Sequence, residues 1–322
     1  MSTKKLEEML ARGTFFSGES LARAIGISRT AVFKQILTLR KLGYRIEAIT
    51  GKGYRLMPRF DGMLPLEIRL KNCAKLFGSE LSVLDTTDST QARLRELAEK
   101  GAGEGTIVVA LQQSSGKGRM GHSWHSPKGG LWFSLLLRPT IRFAEIYKFT
   151  LLFGVAVTRA IKRYGIVPSL KWPNDILVEG KKVCGILLET SAEPDRVEYV
   201  TVGIGVNANF STSILPEDIS ANSTSLCDTL GRRIDRADLL AQILHESEVL
   251  YFAVAEEGFS SVIEEWRSLS CTIGREVSVS SFGFTVRGLA LGIDDDGSLI
   301  IETEEGKKEK VYSGEVAFKQ PE

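Results

Sequence analysis

The chain has 322 residues, of which 43% are apolar, and its net charge is +1, a composition typical of a globular protein with two or three domains. No apolar run reaches the roughly 20 residues that a membrane span needs, and the polar start Met-Ser-Thr-Lys-Lys is unlike a signal peptide. The four cysteines, Cys73, Cys184, Cys227 and Cys271, show no pairing or metal-ligand spacing. We therefore predict reduced thiols, no protein-bound metal and a cytoplasmic location.

The charge is divided unevenly along the chain. Residues 1–60 hold twelve Lys and Arg against four acidic residues, a net charge of +8, which leaves −7 for residues 61–322 because the total is +1. This asymmetry predicts a nucleic-acid-binding N-terminal part joined to a body that does not bind nucleic acid.

The first sixty residues have the pattern of a winged helix-turn-helix. A short helix at 19–24 is followed by a glycine turn and by a longer helix capped by Ser28, and two strands around the Thr-Gly-Lys-Gly turn form the wing. Such a module reads DNA with the start of its second helix and the tip of its wing. The candidate DNA-binding residues are Ser28, Arg29, Thr30, Phe33, Lys34, Gln35 and Lys52. The alternative is a small helical module that binds protein.

Residues 58–65 are rich in proline and glycine and are predicted to be a linker. A helix over 66–76 and a strand at 81–85 follow. The segment Asp88-Ser89-Thr90-Gln91 then precedes a further helix, with Ser89 or Thr90 at the N-cap position. A simple cap is the favoured interpretation; alternatively, the hydroxyl faces a bound polar head group.

The most informative segment is the loop Gln113-Ser-Ser-Gly-Lys-Gly-Arg-Met-Gly121, which lies between two predicted strands. Glycines allow close approach of backbone N–H groups to a ligand, and Lys117 and Arg119 add positive charge, so the loop is a candidate anion site. It lacks the spacing of a P-loop, and a strand follows it where the dinucleotide-binding motif requires a helix. The alternative is a flexible surface loop.

Two further motifs contain candidate cations and amides. Lys171-Trp-Pro-Asn-Asp175 interrupts one strand, and Lys182 begins the next after a hairpin turn; two lysines near a substrate would stabilise an anionic transition state. The alternative for each is a solvated lysine at a sheet edge. Gly203-Ile-Gly-Val-Asn207 ends another strand, where glycines allow close approach and Asn207 offers a donor and an acceptor.

From residue 274 onward, short strands alternate with glycine- and acid-rich turns, which predicts a small SH3-like β-barrel. The whole chain is therefore predicted to be α+β, with a largely antiparallel central sheet, since short hairpin links outnumber helical crossovers. We expect a winged helix-turn-helix domain at 1–60, a catalytic domain at 66–270 and the barrel at 271–322.

These motifs, taken in order along nearly the whole chain, resemble the bifunctional biotin protein ligases and biotin-operon repressors of bacteria. The pairing of Gly-Lys-Gly-Arg-x-Gly with Lys-Trp-Pro-Asn-Asp is highly specific to that family. The resemblance implies a biotin/lipoate ligase fold related to class II synthetases. It also implies a two-step reaction, in which biotin and ATP, with Mg²⁺, form biotinyl-5′-AMP, and biotin then passes to a lysine of a biotin carboxyl carrier domain.

The resemblance also implies roles for residues in this chain. Biotin would be bound by Ser89, Thr90, Gln91, Gln113, Lys117, Gly118, Arg119 and Lys182, and ATP by Arg119, Trp124, Lys171, Asn174 and Asn207. Lys182, Arg119, Lys171 and Asp175 are the predicted catalytic residues, Asp175 by orienting the lysines or a metal ion. The further partners implied are operator DNA and, once the adenylate is bound, a second copy of the chain.

One departure from the family pattern Gly-Arg-Gly-Arg-x-Gly is Lys117, which keeps the charge and loses the planar guanidinium. Two other functions agree with parts of the sequence. One is a DNA-binding regulator whose body only senses a small ligand, and adenylate formation separates it from a ligase. The other is a lipoate ligase or acyltransferase of related fold, which competition between biotin and lipoate would identify.

Overall fold

The computed structural model describes residues 2–193, 196–281 and 283–319. The chain divides into two compact units, the first made of Met1–Cys73 with Asp235–Ala241 and the second of Ala74–Ile234 with Gln242–Glu322. In the described residues, no helix is both long enough and apolar enough to cross a membrane.

The first unit contains the predicted winged helix-turn-helix. Its elements are α1 (Ser2–Leu10), α2 (Gly18–Ile25), α3 (Arg29–Lys41), β1 (Ile46–Ile49), β2 (Gly53–Leu56) and α4 (Pro65–Lys71). Ser28 caps α3 by accepting a 3.1 Å hydrogen bond from the Ala31 N–H, as predicted. Val32, Ile36 and Leu39 form the buried face of α3. The helix α1 was missed by the sequence analysis, although its Leu6 is fully buried in the same core.

The wing is an antiparallel pair, β1 with β2, in which Ile46 lies opposite Leu56. At the start of β2, a Cβ on Gly53 would lie 2.0 Å from the carbonyl oxygen of Phe16. Only glycine permits this approach, and it is used by a two-way backbone pairing between Phe16 and Tyr54. The wing is thereby fixed to the segment that precedes α2.

The predicted helix over 66–76 is wrong at its C-terminal end, because α4 stops at Lys71. The N–H groups of Lys75, Leu76 and Phe77 instead donate to the carboxylate of Glu248, at 2.6 to 2.8 Å. A continued helix would have used these donors internally. The carboxylate that ends the pattern comes from a residue more than 170 positions away, so local periodicity could not reveal it.

The second unit is built on a seven-stranded sheet in the order β3-β4-β5-β9-β8-β7-β6. Only the pair β3 and β4 is parallel, in agreement with the predicted antiparallel character. Its strands are β3 (Leu81–Thr87), β4 (Ile107–Gln113), β5 (Leu131–Leu137), β6 (Pro168–Lys171), β7 (Asp175–Val178), β8 (Lys181–Glu193) and β9 (Arg196–Val206). The apolar strand β5 is buried at all seven positions.

Helices surround this sheet. They are α5 (Thr90–Glu99), α6 (Lys148–Lys162), α7 (Glu217–Ser220), α8 (Leu226–Leu230), α9 (Arg236–Glu257) and α10 (Ser260–Leu269), with single 3₁₀ turns at Arg119–Gly121, Phe143–Glu145 and Thr212–Ile214. Eleven of the fifteen residues of α6 are buried, because α6 packs against both the sheet and α10.

The C-terminal residues of the second unit form a five-stranded sheet in the order β13-β12-β11-β10-β14, with every pair antiparallel. We call it the C-terminal sheet. Its strands are β10 (Glu276–Ser281), β11 (Phe284–Ile293), β12 (Leu299–Glu302), β13 (Lys308–Val311) and β14 (Glu315–Phe318). The sequence analysis anticipated four of these strands and missed β14, which follows β13 after only three residues.

Candidate active site

One cavity of about 300 Å³ in the second unit gathers nearly all the predicted ligand-binding residues. Its walls come from α5, the end of β4, the glycine-rich loop, the β6–β7 turn, β8, β9 and the turn before β14. The predicted residues that line it are Ser89, Thr90, Gln91, Gln113, Lys117, Gly118, Arg119, Trp124, Lys171, Asn174, Asp175 and Lys182. Three sequence motifs far apart in the chain therefore meet at one site.

The start of α5 forms a buried, uncharged end of this cavity. Ser89 is the N-cap, and its hydroxyl lies 3.5 Å from the Ala92 N–H, so the cap predicted from the sequence is present. Gln113 accepts a 2.8 Å hydrogen bond from the Thr90 N–H and donates to the hydroxyl of Ser126. The side chain of Gln113 thus joins the helix start to the loop that follows β4.

The side-chain amide of Gln91 has one polar atom that makes a hydrogen bond and one that makes none to the described residues. Its amide nitrogen donates to the carbonyl of Leu187 at 3.2 Å, and its side chain lies so close to Gly203 that a Cβ there would meet it at 2.9 Å. Its buried Oε1 has no hydrogen-bond partner among the described residues. A buried acceptor in this state is a binding point for a donor on a ligand.

The glycine-rich loop is folded back on itself. The Gly118 N–H donates to the carbonyl of His122 at 2.7 Å, and the His122 N–H donates to that of Arg119 at 3.0 Å. Between them, Met120 adopts a left-handed conformation with φ of 51°. Lys117 pairs with Ser123 in an isolated bridge. The loop therefore contains a turn closed by backbone hydrogen bonds.

Arg119 points away from its loop toward two other segments. Its guanidinium donates to Asn174 Oδ1 at 3.1 Å, to the carbonyl of Gly314 at 3.3 Å and to the hydroxyl of Ser313 at 2.7 Å. Burial lowers the pKa of the guanidinium, while Asp175 and Glu315 act in the opposite direction. An arginine starts so far above neutral pH that it remains charged here.

The indole of Trp124 packs against two glycines of the seven-stranded sheet. Gly185 of β8 and Gly205 of β9 are register partners, and a Cβ on either would come within 3 Å of the indole. Lys182 Nζ lies 5.0 Å from the ring centroid and 2.7 Å from Asp175 Oδ1. Asp175 and the indole thus both contact the ammonium of Lys182, and a role of Asp175 in orienting it stays a prediction.

The Lys171-to-Asp175 motif forms the turn between β6 and β7, where Lys171 and Asp175 are register partners. The Trp172–Pro173 bond in this turn is cis. Trp172 is buried and donates through its indole to the carbonyl of Gly297. Lys171 Nζ lies 5.3 Å from the ring of Phe318 and lines the cavity. The motif therefore presents its charged ends to the cavity and buries its aromatic centre.

The two predicted ATP-binding asparagines are engaged by protein groups. Asn174 donates to the carbonyl of Ile186 at 2.8 Å and accepts from Arg119. Asn207 is buried, donates to the carbonyl of Thr224 at 3.0 Å and does not line the cavity. Binding of ATP by either amide stays a prediction.

Several lining residues were not anticipated from the sequence, among them His122, Glu315 and the carbonyl of Gly314. His122 Nε2 lies 2.8 Å from Glu315 Oε1, which joins the glycine-rich loop to the C-terminal sheet a second time. The only available signal was the histidine itself, one of three in the chain. In the described part of the chain, no three His, Cys, Asp or Glu side chains are grouped to hold a metal.

The first unit presents the predicted DNA-reading residues by itself. Ser28, Arg29, Thr30, Phe33 and Lys34 are exposed at the start of α3. Lys52, at the wing tip, is also exposed, whereas Gln35 is half-buried. The ring of Phe33 and three cations, Arg29, Lys34 and Lys52, are therefore accessible to a ligand, and their contact with DNA stays a prediction.

Three family models match the chain: a helix-turn-helix domain over residues 3–55, the biotin/lipoate A/B protein ligase family over 83–207, and a biotin protein ligase C-terminal domain over 272–319. The first two models cover the helix-turn-helix and the strands that line the cavity, where the sequence motifs were also found. The third match covers the C-terminal sheet.

Full-length relatives are also found. The bifunctional ligase/repressor BirA of Bacillus spizizenii is 43% identical over 308 residues, covering 95% of this chain and 94% of that protein. The BirA of Escherichia coli is 29% identical over 325 residues, covering 99% and 97%. Among solved structures, biotin protein ligase from Aquifex aeolicus in complex with biotin and ATP has a TM-score of 0.67 and 33% identity over 76% of this chain and 100% of that one. The chain therefore belongs to the family of bifunctional ligase/repressors that the BirA proteins represent.

Proposed function

We propose that this protein activates biotin with ATP and transfers the biotinyl group to a lysine of a biotin carboxyl carrier protein, and that its N-terminal module represses transcription by binding operator DNA. The observation that carries the ligase assignment is the meeting of three distant motifs around one cavity. The relatives named above are ligases and repressors by name, and they cover almost the whole chain.

In the first step, a carboxylate oxygen of biotin attacks the α-phosphorus of ATP. A bond forms between that oxygen and phosphorus, the bond from the α-phosphorus to the bridging oxygen breaks, and pyrophosphate leaves. Negative charge accumulates on the phosphorus oxygens, so positive groups held nearby lower the barrier. Arg119, Lys182 and Lys171 all line the cavity and are the cations assigned to this task.

Magnesium enters with the phosphates of ATP, as part of the substrate, and shares in neutralising their charge. The protein itself contributes orientation. Asp175 and Trp124 hold Lys182, the first by an ion pair and the second by its ring face. No side-chain nucleophile is required, because the carboxylate of biotin is the attacking group.

In the second step, the amine of the carrier lysine attacks the acyl carbon of the adenylate. The new bond is an amide, the bond from the acyl carbon to the phosphate oxygen breaks, AMP leaves and the attacking nitrogen loses a proton. The adenylate must be kept from water until the carrier arrives. The glycine-rich loop, with Arg119 and Lys117, is assigned to this shielding.

The deciding experiment is biotin-dependent exchange of labelled pyrophosphate into ATP. Purified full-length protein with biotin, ATP and Mg²⁺ is expected to catalyse exchange, and omission of biotin is expected to abolish it. Absence of exchange by folded protein would leave a DNA-binding ligand sensor as the better interpretation. Exchange supported by lipoate in preference to biotin would instead indicate a lipoate ligase.

For regulation, we propose that adenylate binding promotes association of two chains, so that two wings contact a two-fold operator. The exposed residues at the start of α3 support the DNA contact. Sedimentation with and without biotin and ATP tests the linkage, and an unchanged association state would contradict it. We further propose functional domains at 1–60, 66–270 and 271–322, and a cytoplasmic location.

A further inference from the structure

The side chain of Arg119 is held by groups that carry no formal charge. Its three hydrogen bonds to described residues go to an amide oxygen, a hydroxyl and a backbone carbonyl, on Asn174, Ser313 and Gly314 respectively. We call these three residues the arginine seat. Neutral acceptors fix the direction of a guanidinium without cancelling its charge, whereas a carboxylate in their place would do both.

The arginine seat accepts hydrogen bonds from only three of the N–H groups of the guanidinium. An arginine has five N–H donors, and the three bonds use both donors of Nη1 and one of Nη2. The Nε–H and one Nη2–H have no hydrogen-bond acceptor in the described part of the chain, and Arg119 lines the cavity. Two donors and a full positive charge therefore remain for an anionic ligand.

The position of the seat is fixed by packing rather than by the loop it receives. A Cβ on Gly314 would lie 2.6 Å from Val279 Cγ1 and 2.8 Å from the Ser280 carbonyl, so this turn rests directly on β10. Asn174 is fixed from the other side, because its amide nitrogen and its backbone carbonyl both bond Ile186. The loop thus meets a rigid acceptor set formed by the β6–β7 turn and the C-terminal sheet.

We propose that Ser313, Gly314 and Asn174 are positioning residues that hold Arg119 and close the glycine-rich loop over the cavity. The C-terminal sheet, in which the sequence shows no catalytic group, then acts in the reaction through Arg119. This inference rests on the proposed ligase function for its kinetic consequences, but loop closure itself is testable without any substrate. Asn174 acts on ATP through Arg119 in this scheme, and not by a contact of its own.

The first test is limited trypsin digestion of the full-length protein, without and with biotin, with mass spectrometry to quantify cleavage after Lys117 and Arg119. Ser313→Ala removes one hydrogen bond to a charged donor, so cleavage is expected to be roughly tenfold faster. Ser313→Thr keeps the hydroxyl and is expected to restore the wild-type rate. Ser280→Ala is the matched control, since the hydroxyl of Ser280 pairs with Thr285 in the same sheet.

The second test follows release of labelled adenylate formed in the absence of carrier. Ser313→Ala is expected to release it several times faster than wild type, with Ser280→Ala unchanged, which a purely structural role would not produce. Wild-type cleavage and wild-type retention in a folded Ser313→Ala protein would overturn the proposal. If the wild-type protein forms no adenylate, the ligase function fails, and the digestion still decides whether the seat holds the loop.

Discussion

The ammonium of Lys182 lies 2.7 Å from Oδ1 of Asp175, across the hairpin that joins β7 and β8. The carboxylate is only 18% exposed, so the pair is partly desolvated. We expect Asp175→Asn to slow adenylate formation by roughly tenfold to a hundredfold, because a displaced catalytic group loses much of its effect. Single-turnover formation of adenylate measures this. Asp85→Asn, which disrupts only the exposed, 3.8 Å pair with Lys128, is the control, and equal rates in the two variants would contradict the role.

Removing the guanidinium of Arg119 is expected to open the cavity. Arg119→Gly should release adenylate into solution, where this mixed anhydride acylates lysines indiscriminately. Blotting for biotin on a bystander protein would detect the labelling. Arg142→Gly removes an arginine that is 85% exposed and serves as the comparison. Adenylate retention equal to that of wild type would count against Arg119 as a closing residue.

The indole of Trp124 packs against the backbone of Gly185 and Gly205, where a side chain would collide with it. In Gly205→Ala, the new Cβ would lie 2.5 Å from the indole nitrogen, so the ring must move. We expect the KM for ATP to rise and the free energy of unfolding to fall by about 1–3 kcal/mol, the usual effect of overpacking. Titration of initial rates and denaturant unfolding measure the two effects. Gly103→Ala, whose Cβ would meet no described atom within 4 Å, should change neither.

A contact between the wing and a DNA phosphate predicts how the DNA affinity changes with salt concentration. If Lys52 neutralises one phosphate, Lys52→Ala should reduce the slope of log affinity against log salt concentration by about 0.9, with similar effects on all DNA sequences. Fluorescence anisotropy over a salt series gives the slope. Arg23→Ala is the control, because that guanidinium pairs with Glu19 on α2. A slope that is the same in Lys52→Ala and in wild type would remove Lys52 from the interface.

Burial raises the pKa of the Cys184 thiol well above its ordinary value of 9.0. Because the thiolate is the reactive form, Cys184 should resist alkylation between pH 7 and 9, whereas the exposed Cys73 should react. Peptide mapping after brief iodoacetamide treatment of native protein separates the two. Denatured protein should be labelled at both positions, and native labelling of Cys184 would show that the β8 core opens.

Local sequence signals predicted α2, α3 and the wing of the first unit, and strands of the central sheet, because caps, turns and periodicity act over a few residues. Ser28 at the start of α3 is one example, and the Glu179-Gly180 turn between β7 and β8 is another. Motif resemblance predicted twelve of the residues that line the cavity. Neither local signals nor motif resemblance predicts hydrogen bonds between residues that are distant in the chain, because neither specifies which segments pack together.

Arg119 shows where such prediction ends. Its charge and its glycine neighbours marked it as an anion-binding residue, but its acceptor on Gly314 lies 195 positions further on. The end of α4 was predicted wrongly for the same reason, because a distant carboxylate takes the N–H groups that a longer helix would need. Asn207 was assigned to ATP by resemblance, and its bond to Thr224 depends on packing that no local pattern reports.

The beginning of α5 has a consequence for the direction in which a substrate enters. Three N–H groups there, those of Ser89, Thr90 and Ala92, already donate to Asp88, Gln113 and Ser89. That end of the cavity consequently has few free N–H groups for an anion, while Arg119, Lys171 and Lys182 are among its other lining residues. An elongated molecule with an uncharged polar ring and an acidic tail is sorted by electrostatics alone: the ring goes in first, and the acid is left facing the nucleotide. Capping the acid as an ester or amide would erase that polarity and leave the molecule without a preferred orientation.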